Sequence, residues 1–166
     1  MKYFDGEFRE IVTKAVCGKG KEYIESKHTV EARNKPDSIL GCWVINHVYK
    51  AKKKKDHVEI SGSYEVNIWY SFNDNTKTEV ITERVHYEED IELKEKDDTC
   101  ISDDLEVIVK VIQQPNCLGC HIHQKGNKIE VEVEKEFLVN VIGETKLSVK
   151  ISKDDHDFYR EDRHHD

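Results

Sequence analysis

No stretch of this 166-residue chain approaches the run of about twenty apolar residues that a bilayer-spanning helix needs, so an inserted helix is excluded. The start, MKYFDGEFRE, carries acids where an export leader would carry a greasy segment, and the expectation is a protein made and kept in a cytoplasm. A basic surplus is lacking too. The net charge is −8, whereas nucleic-acid binders need a concentrated basic face to displace counterions from phosphates. The one basic cluster, Lys50 to Lys55, lies between two strand patterns and reads as a solvated hairpin loop. There is no phosphate-cradling glycine loop, no GxSxG elbow and no HExxH, and the many carboxylates alternate with apolar residues as solvated strand faces do. No enzyme is expected. Cysteine is limited to Cys17, Cys42, Cys100, Cys117 and Cys120; an odd set without an export signal argues against an obligatory internal disulfide framework and leaves free or intermolecular thiols. Cys42 and His47 are five apart in one strand pattern, which places them on opposite faces and denies the thiol a base.

What is present is alternation. Apolar residues make up 37% and charged residues 36%, and the apolar ones gather into period-two runs separated by charged turns. Residues 1–152 read as one domain. Within residues 1–18, Phe8, Ile11, Val12, Ala15 and Val16 fall at helical spacing, which suits a short helix, although residues from about Lys14 could equally begin a strand. After the turn at Pro36-Asp37-Ser38, the run ILGCWVINHVY is apolar on both faces and suits a strand sandwiched in the core. From His57 to Phe72, the side chains Val58, Ile60, Tyr64, Val66, Ile68 and Tyr70 share one face, and Trp69 lies on the other. Asn73-Asp74-Asn75 turns the chain into a half-exposed strand from Thr78 to Leu93. Leu105 to Ile112 is another buried-looking run that Pro115-Asn116 ends, followed by Cys117 to His123. Lys125-Gly126-Asn127 turns into Lys128 to Ile142, with Ile129, Val131, Val133, Phe137, Val139 and Val141 facing in. Gly143-Glu144 then turns into a last strand, Thr145 to Ile151. The expected fold is all-β, an antiparallel β-sandwich or flattened barrel of about seven or eight strands, with Val58, Ile60, Val66, Ile68, Val107, Val109, Val131 and Val133 in its core. Residues 153–166 read as a flexible, acidic, histidine-bearing tail too polar to bury itself.

Cys117-Leu118-Gly119-Cys120-His121 spells the c-type haem attachment pattern. The missing export signal, the lack of a distal ligand and the strand context count against haem, and no cofactor is expected. Zinc would draw on Cys117, Cys120, His121 and His123, but a lone CxxC lacks a second ligand pair. On a strand, Cys120 and the two histidines also point to opposite faces. A metal- or haem-binding redox module on Cys117 to His123 and a carbohydrate-binding sandwich using Trp69 are the alternatives to a structural protein.

The strings SILGCWVINHVY, VEISGSYEVNIWYSFNDNTKTEVITERVHY, EVIVKVIQQPNCL and GNKIEVEVEKEFLVNVIGETKLSV, between about Arg9 and Ile151, resemble the outer spore coat morphogenetic protein E family of endospore-forming bacteria. The resemblance implies a scaffold without catalysis, made in the mother-cell cytoplasm and settled on the forespore. Such a scaffold forms homo-oligomers through its amino-terminal part, binds the basement-layer morphogenetic protein and recruits outer coat proteins through an acidic end. Here the tail is shorter than the family pattern and mixes Arg160, Arg163 and histidines among the acids, and Gly119 to His123 has no counterpart in it. The protein is expected to fold reduced, with Cys100, Cys117 and Cys120 available to cross-link neighbouring subunits later.

Overall fold

The structure, a computed structural model, describes residues 6–96, 100 and 105–152. The acidic tail expected at 153–166 lies outside them. Seven strands follow in order: β1 (Gly6–Glu31), β2 (Pro36–Lys53), β3 (His57–Phe72), β4 (Lys77–Glu92), the two-residue β5 (Glu95–Lys96), β6 (Glu106–Ile122) and β7 (Lys128–Ser152). They form two antiparallel sheets, ordered β5-β1-β7-β6 and β2-β3-β4, packed as a sandwich. The all-β sandwich expected from the alternation is therefore the observed fold, with six long strands and one short one.

The inward row of β3 is the one read from period two: Val58, Ile60, Tyr64, Val66, Ile68 and Tyr70 are all buried, as are Ile129, Val131, Val133, Phe137, Val139 and Val141 of β7. Val107 and Val109 are only partly buried, because β6 is an edge strand. The β3–β4 hairpin turns on Asn73, Asp74 and Asn75, all at positive φ, a conformation asparagine and aspartate tolerate better than other residues with a Cβ.

Four expectations are corrected. Residues 6–18 form the start of β1 and not a helix: their backbone pairs with β7 from Gly6↔Ser152 onward. The apolar residues look helically spaced because both faces of this stretch carry them. β2 is not sandwiched but is the edge of its sheet, so Trp43 and Ile45 are exposed while Cys42 and Val44 pack inward. Pro115 does not end a strand; β6 runs through it, with register shifts on either side, which an edge strand permits because a missing N–H disturbs only one ladder. Gly143 is no turn either. β7 continues straight through it, and the missing side chain leaves room for Leu105 Cδ2 and Cys17 Sγ, which a Cβ would meet at 2.6 and 2.9 Å.

The core is divided by a polar waist. One cluster gathers Val30, Tyr64, Val66, Ile68, Tyr70, Ile129, Val131 and Val133; the other gathers Val58, Ile60, Ile91, Leu93, Phe137, Val139 and Val141. Between them on β7 stands Lys135, with only 1% of its surface exposed. On β3 the same level is occupied by Gly62, against which the Tyr87 ring lies.

Candidate functional site

Three places hold side chains whose chemistry exceeds what packing needs. The first is the waist. The Lys135 ammonium lies 3.6 Å from the Glu89 carboxylate and 4.4 Å from the centre of the Tyr87 ring. Burial lowers its pKa, and Glu89 acts against that shift. His47 Nδ1–H donates to Gln114 Oε1 at 2.9 Å, which leaves Nε2 to accept the Tyr87 hydroxyl; His28 Nε2 meets the Tyr64 hydroxyl at 2.7 Å. Burial holds both imidazoles below their ordinary value, with the Lys135 charge adding to it. Lys135 was hidden in the sequence by its own register: it falls in the inward period of β7, between Val133 and Phe137, where apolar residues set the pattern. His47 also departs from expectation. A bulge between Ile45 and Val48, with Asn46 at φ 56°, returns it to the inward face that Cys42 uses. It meets Tyr87 and Gln114 there.

The second place is the seam between the edge strands β2 and β6. The bulge between Cys117 and Gly119 puts Cys117 on the same inward side as Cys120, and both pack with Cys42 against the first core cluster. All three are free and half-buried, and thiol hydrogen bonds join Cys42 to Cys117 and to Cys120. The bond to Cys120, with burial, raises the Cys42 pKa. Burial, helped by the Cys42 contact, pushes Cys117 up to about 12. The Cys42 hydrogen bond lowers Cys120 against the effect of burial.

His121 and His123 face the other way, with Nε2 atoms 3.2 and 3.6 Å from the two oxygens of Glu130. The thiols and imidazoles of the CxxCH string thus lie on opposite faces of β6 and do not converge on a haem iron or a zinc ion. Among the described residues no set of three or more His, Cys, Asp or Glu is arranged to hold a metal ion. Cys100 is corrected as well. It is bonded to Cys17 within the chain, with Cα atoms 6.0 Å apart, because its bridge to Thr145 brings it over Gly143 to the β1 bulge. It is therefore not a free thiol for a neighbouring subunit.

The third place is a ribbon. β6 stops covering β7 at Ile142, yet β1 and β7 stay paired from Ala15↔Gly143 to Gly6↔Ser152. Among the described residues no facing sheet covers the inward stripe of both strands along it, and Ile11 is 42%, Leu147 47% and Val149 38% exposed. Phe8, on the opposite face, is 69% exposed. Among the described residues, the only bridge to a third segment along this stretch is that between Cys100 and Thr145. Trp69, singled out from the sequence, lies across the sandwich on the outer face of the other sheet. It is exposed there, as is Trp43, and a Cβ at Gly41 would be in van der Waals contact with both rings.

A family model described as outer spore coat protein E (CotE) matches residues 7–166. The chain belongs to the outer spore coat protein E family. The match takes in the tail that the resemblance read from the sequence had left aside. No curated protein and no solved structure matches the chain. For an outer spore coat protein, the three places divide by solvent access: the waist belongs to the core, the seam is half-open, and the ribbon and the tryptophan face are surfaces.

Proposed function

We propose that this outer spore coat protein is a non-catalytic morphogenetic scaffold that assembles with further copies of itself and recruits other coat proteins. The observation that supports it is the β1–β7 ribbon. An exposed apolar stripe, on strands to whose outer backbone edges the described residues add only the Cys100–Thr145 bridge along this stretch, is what strand addition or face-to-face pairing between chains requires. A second copy carries the same stripe, so the contact can be self-complementary. The amino-terminal residues that the family resemblance associates with self-association are those in the ribbon. In this reading the protein is made in the mother-cell cytoplasm and settles on the basement-layer morphogenetic protein, while the 153–166 tail docks further coat proteins. Residues 1–152 are the assembling domain.

The test is light scattering coupled to size-exclusion chromatography on the parent, on Ile11→Glu/Leu147→Glu, and on a truncation ending at Lys153. The parent is expected to exceed a dimer without cofactor, the ribbon variant to fall to a smaller species with an unchanged melting temperature, and the truncation to keep the parent's size. A monomeric parent at high concentration and physiological salt would refute the scaffold reading. A ribbon variant that assembles like the parent would remove the ribbon from it.

A further inference from the structure

We propose that Cys42 and Cys120 are an internal thiol-oxidation site, which a small-molecule disulfide converts into a covalent bond between the two sheets. The sequence alone pointed to Cys117 and Cys120 as links between chains. The fold turns both inward, onto a cysteine of the opposite sheet.

The location gives the bond its meaning. β2 and β6 are the edges of their sheets and lie together on one side of the sandwich. On the opposite side the chain itself crosses between sheets, from β4 to β5, where Lys94 N–H donates to Lys19 O at 3.0 Å. Among the described residues the β2–β6 seam has no backbone crossing of that kind; side chains close it, with His47 bonded to Gln114 and Cys42 in contact with Cys117 and Cys120. A disulfide here adds a covalent bond to a side that side chains hold together.

The cluster also divides the chemical roles. Cys120 accepts a hydrogen bond from Cys42, which favours its thiolate, and it is half-exposed and within reach of a small reagent. Its thiolate attacks one sulfur of the reagent's S–S bond. That bond breaks, one reagent thiolate leaves, and a mixed disulfide remains on Cys120. Cys42, already in contact, gives its proton to the departing second thiolate while its sulfur bonds to Cys120. Two cysteine thiols lose two electrons in total, and one reagent disulfide becomes two reagent thiols. Cys117 is less suited to bond Cys120, since it lies on the same strand three residues away and its Sγ–H is directed at Gly119 O, 3.5 Å away, whereas Cys42 faces Cys120 from the other sheet.

The experiment equilibrates the full chain, reduced and carrying Cys17→Ser and Cys100→Ser, in mixtures of glutathione and glutathione disulfide. Remaining thiols are alkylated, the chains are separated on a non-reducing gel, and the peptides are mapped by mass spectrometry. The expected product is a Cys42–Cys120 link in a chain of monomer mobility, with Cys117 alkylated and the melting temperature raised by roughly 5 °C or more over the reduced form. Cys42→Ser should instead hold glutathione on Cys120. A Cys117–Cys120 link, links between chains, or a Cys42 that stays alkylatable in the parent would each overturn the proposal. The same map on the chain that retains Cys17 and Cys100 is expected to add only their own link; exchange between the two pairs would also count against it.

Discussion

Gly62→Ala adds one methyl group at the waist and tests whether the two core clusters meet there as tightly as described. A Cβ at position 62 would press on the Val48 carbonyl oxygen and lie 2.6 Å from the Tyr87 hydroxyl and 2.8 Å from Cζ of the same ring. The carbonyl is held in the β2–β3 ladder, and the hydroxyl is held by His47. Neither can give way as the end of a flexible side chain would. The cost belongs at the upper end of the overpacking range, about 3 kcal/mol, or roughly 6–12 °C in melting temperature for a chain of this size. The strain should also loosen the Tyr87–His47–Gln114 connection, so hydrogen exchange at β2 and β6 should quicken more than at β1 and β7. Gly119→Ala is the control: the chemical change is identical, but a Cβ there meets nothing within 4 Å. It should be neutral or stabilising by a few tenths of a kcal/mol through the unfolded chain. Differential scanning calorimetry on the two variants decides. A Gly62→Ala protein melting within 2 °C of the parent, on the order of 0.5 kcal/mol, would mean that the waist is not packed as described.

Acidification should destabilise the protein through His28 and His47. Both are held below their ordinary value of 6.5, so the unfolded chain binds protons first: stability is complete above that pH and falls beneath it until the folded values are reached. Each histidine contributes at most about 1.4 kcal/mol per pH unit in that window, and urea melts of the parent against His28→Gln/His47→Gln should show the variant with the flatter profile. Phe137→Ala empties a site with 0% exposure in the second cluster and should cost about 3–5 kcal/mol by chemical denaturation. Replacing Cys17 and Cys100 by serine releases a link across a sequence separation of 83 and should lower stability by about 2–4.5 kcal/mol under oxidising conditions, with no effect under reducing ones.

β3, β4 and most of β7 could be read from the sequence because an apolar row turned to the core alternates with polar residues along each, which is the condition under which period two is visible. β1 could not. Its residues opposite the core row of β7 include Gly18, Gly20, Glu22, Ser26 and His28, small or polar side chains that give no inward apolar row to count. Its first ten residues carry apolar groups on both faces, and Phe8, Ile11 and Val12 are all exposed, so no buried face imposes a period there. Pro115 and Gly143 misled for a shared reason: each usually marks an interruption, and here one is tolerated at an edge while the other makes room for a neighbour. Of the candidate site, the string Cys117 to His123 was visible and strand geometry set Cys120 opposite the two histidines, but the bulge that turns Cys117 to the side of Cys120 was not visible. Cys42 as its third member was not visible, because that contact depends on how two sheet edges meet and no local pattern encodes it. Cys17 and Cys100 joined for a comparable reason, across a strand that only the completed sheet places between them.

The pairing of Gly6 with Ser152 has a practical corollary for anyone labelling this protein. Whatever precedes the first of these residues and whatever follows the second leaves the domain from the same tip of the ribbon. A fluorescent domain or affinity tag joined directly at Gly6 or at Ser152 would occupy one shared neighbourhood, beside the stripe offered for assembly. Fusions at these two points are therefore not independent controls for each other, and a reporter meant to leave assembly untouched belongs instead in the Asn73-Asp74-Asn75 hairpin or the Gly126 turn.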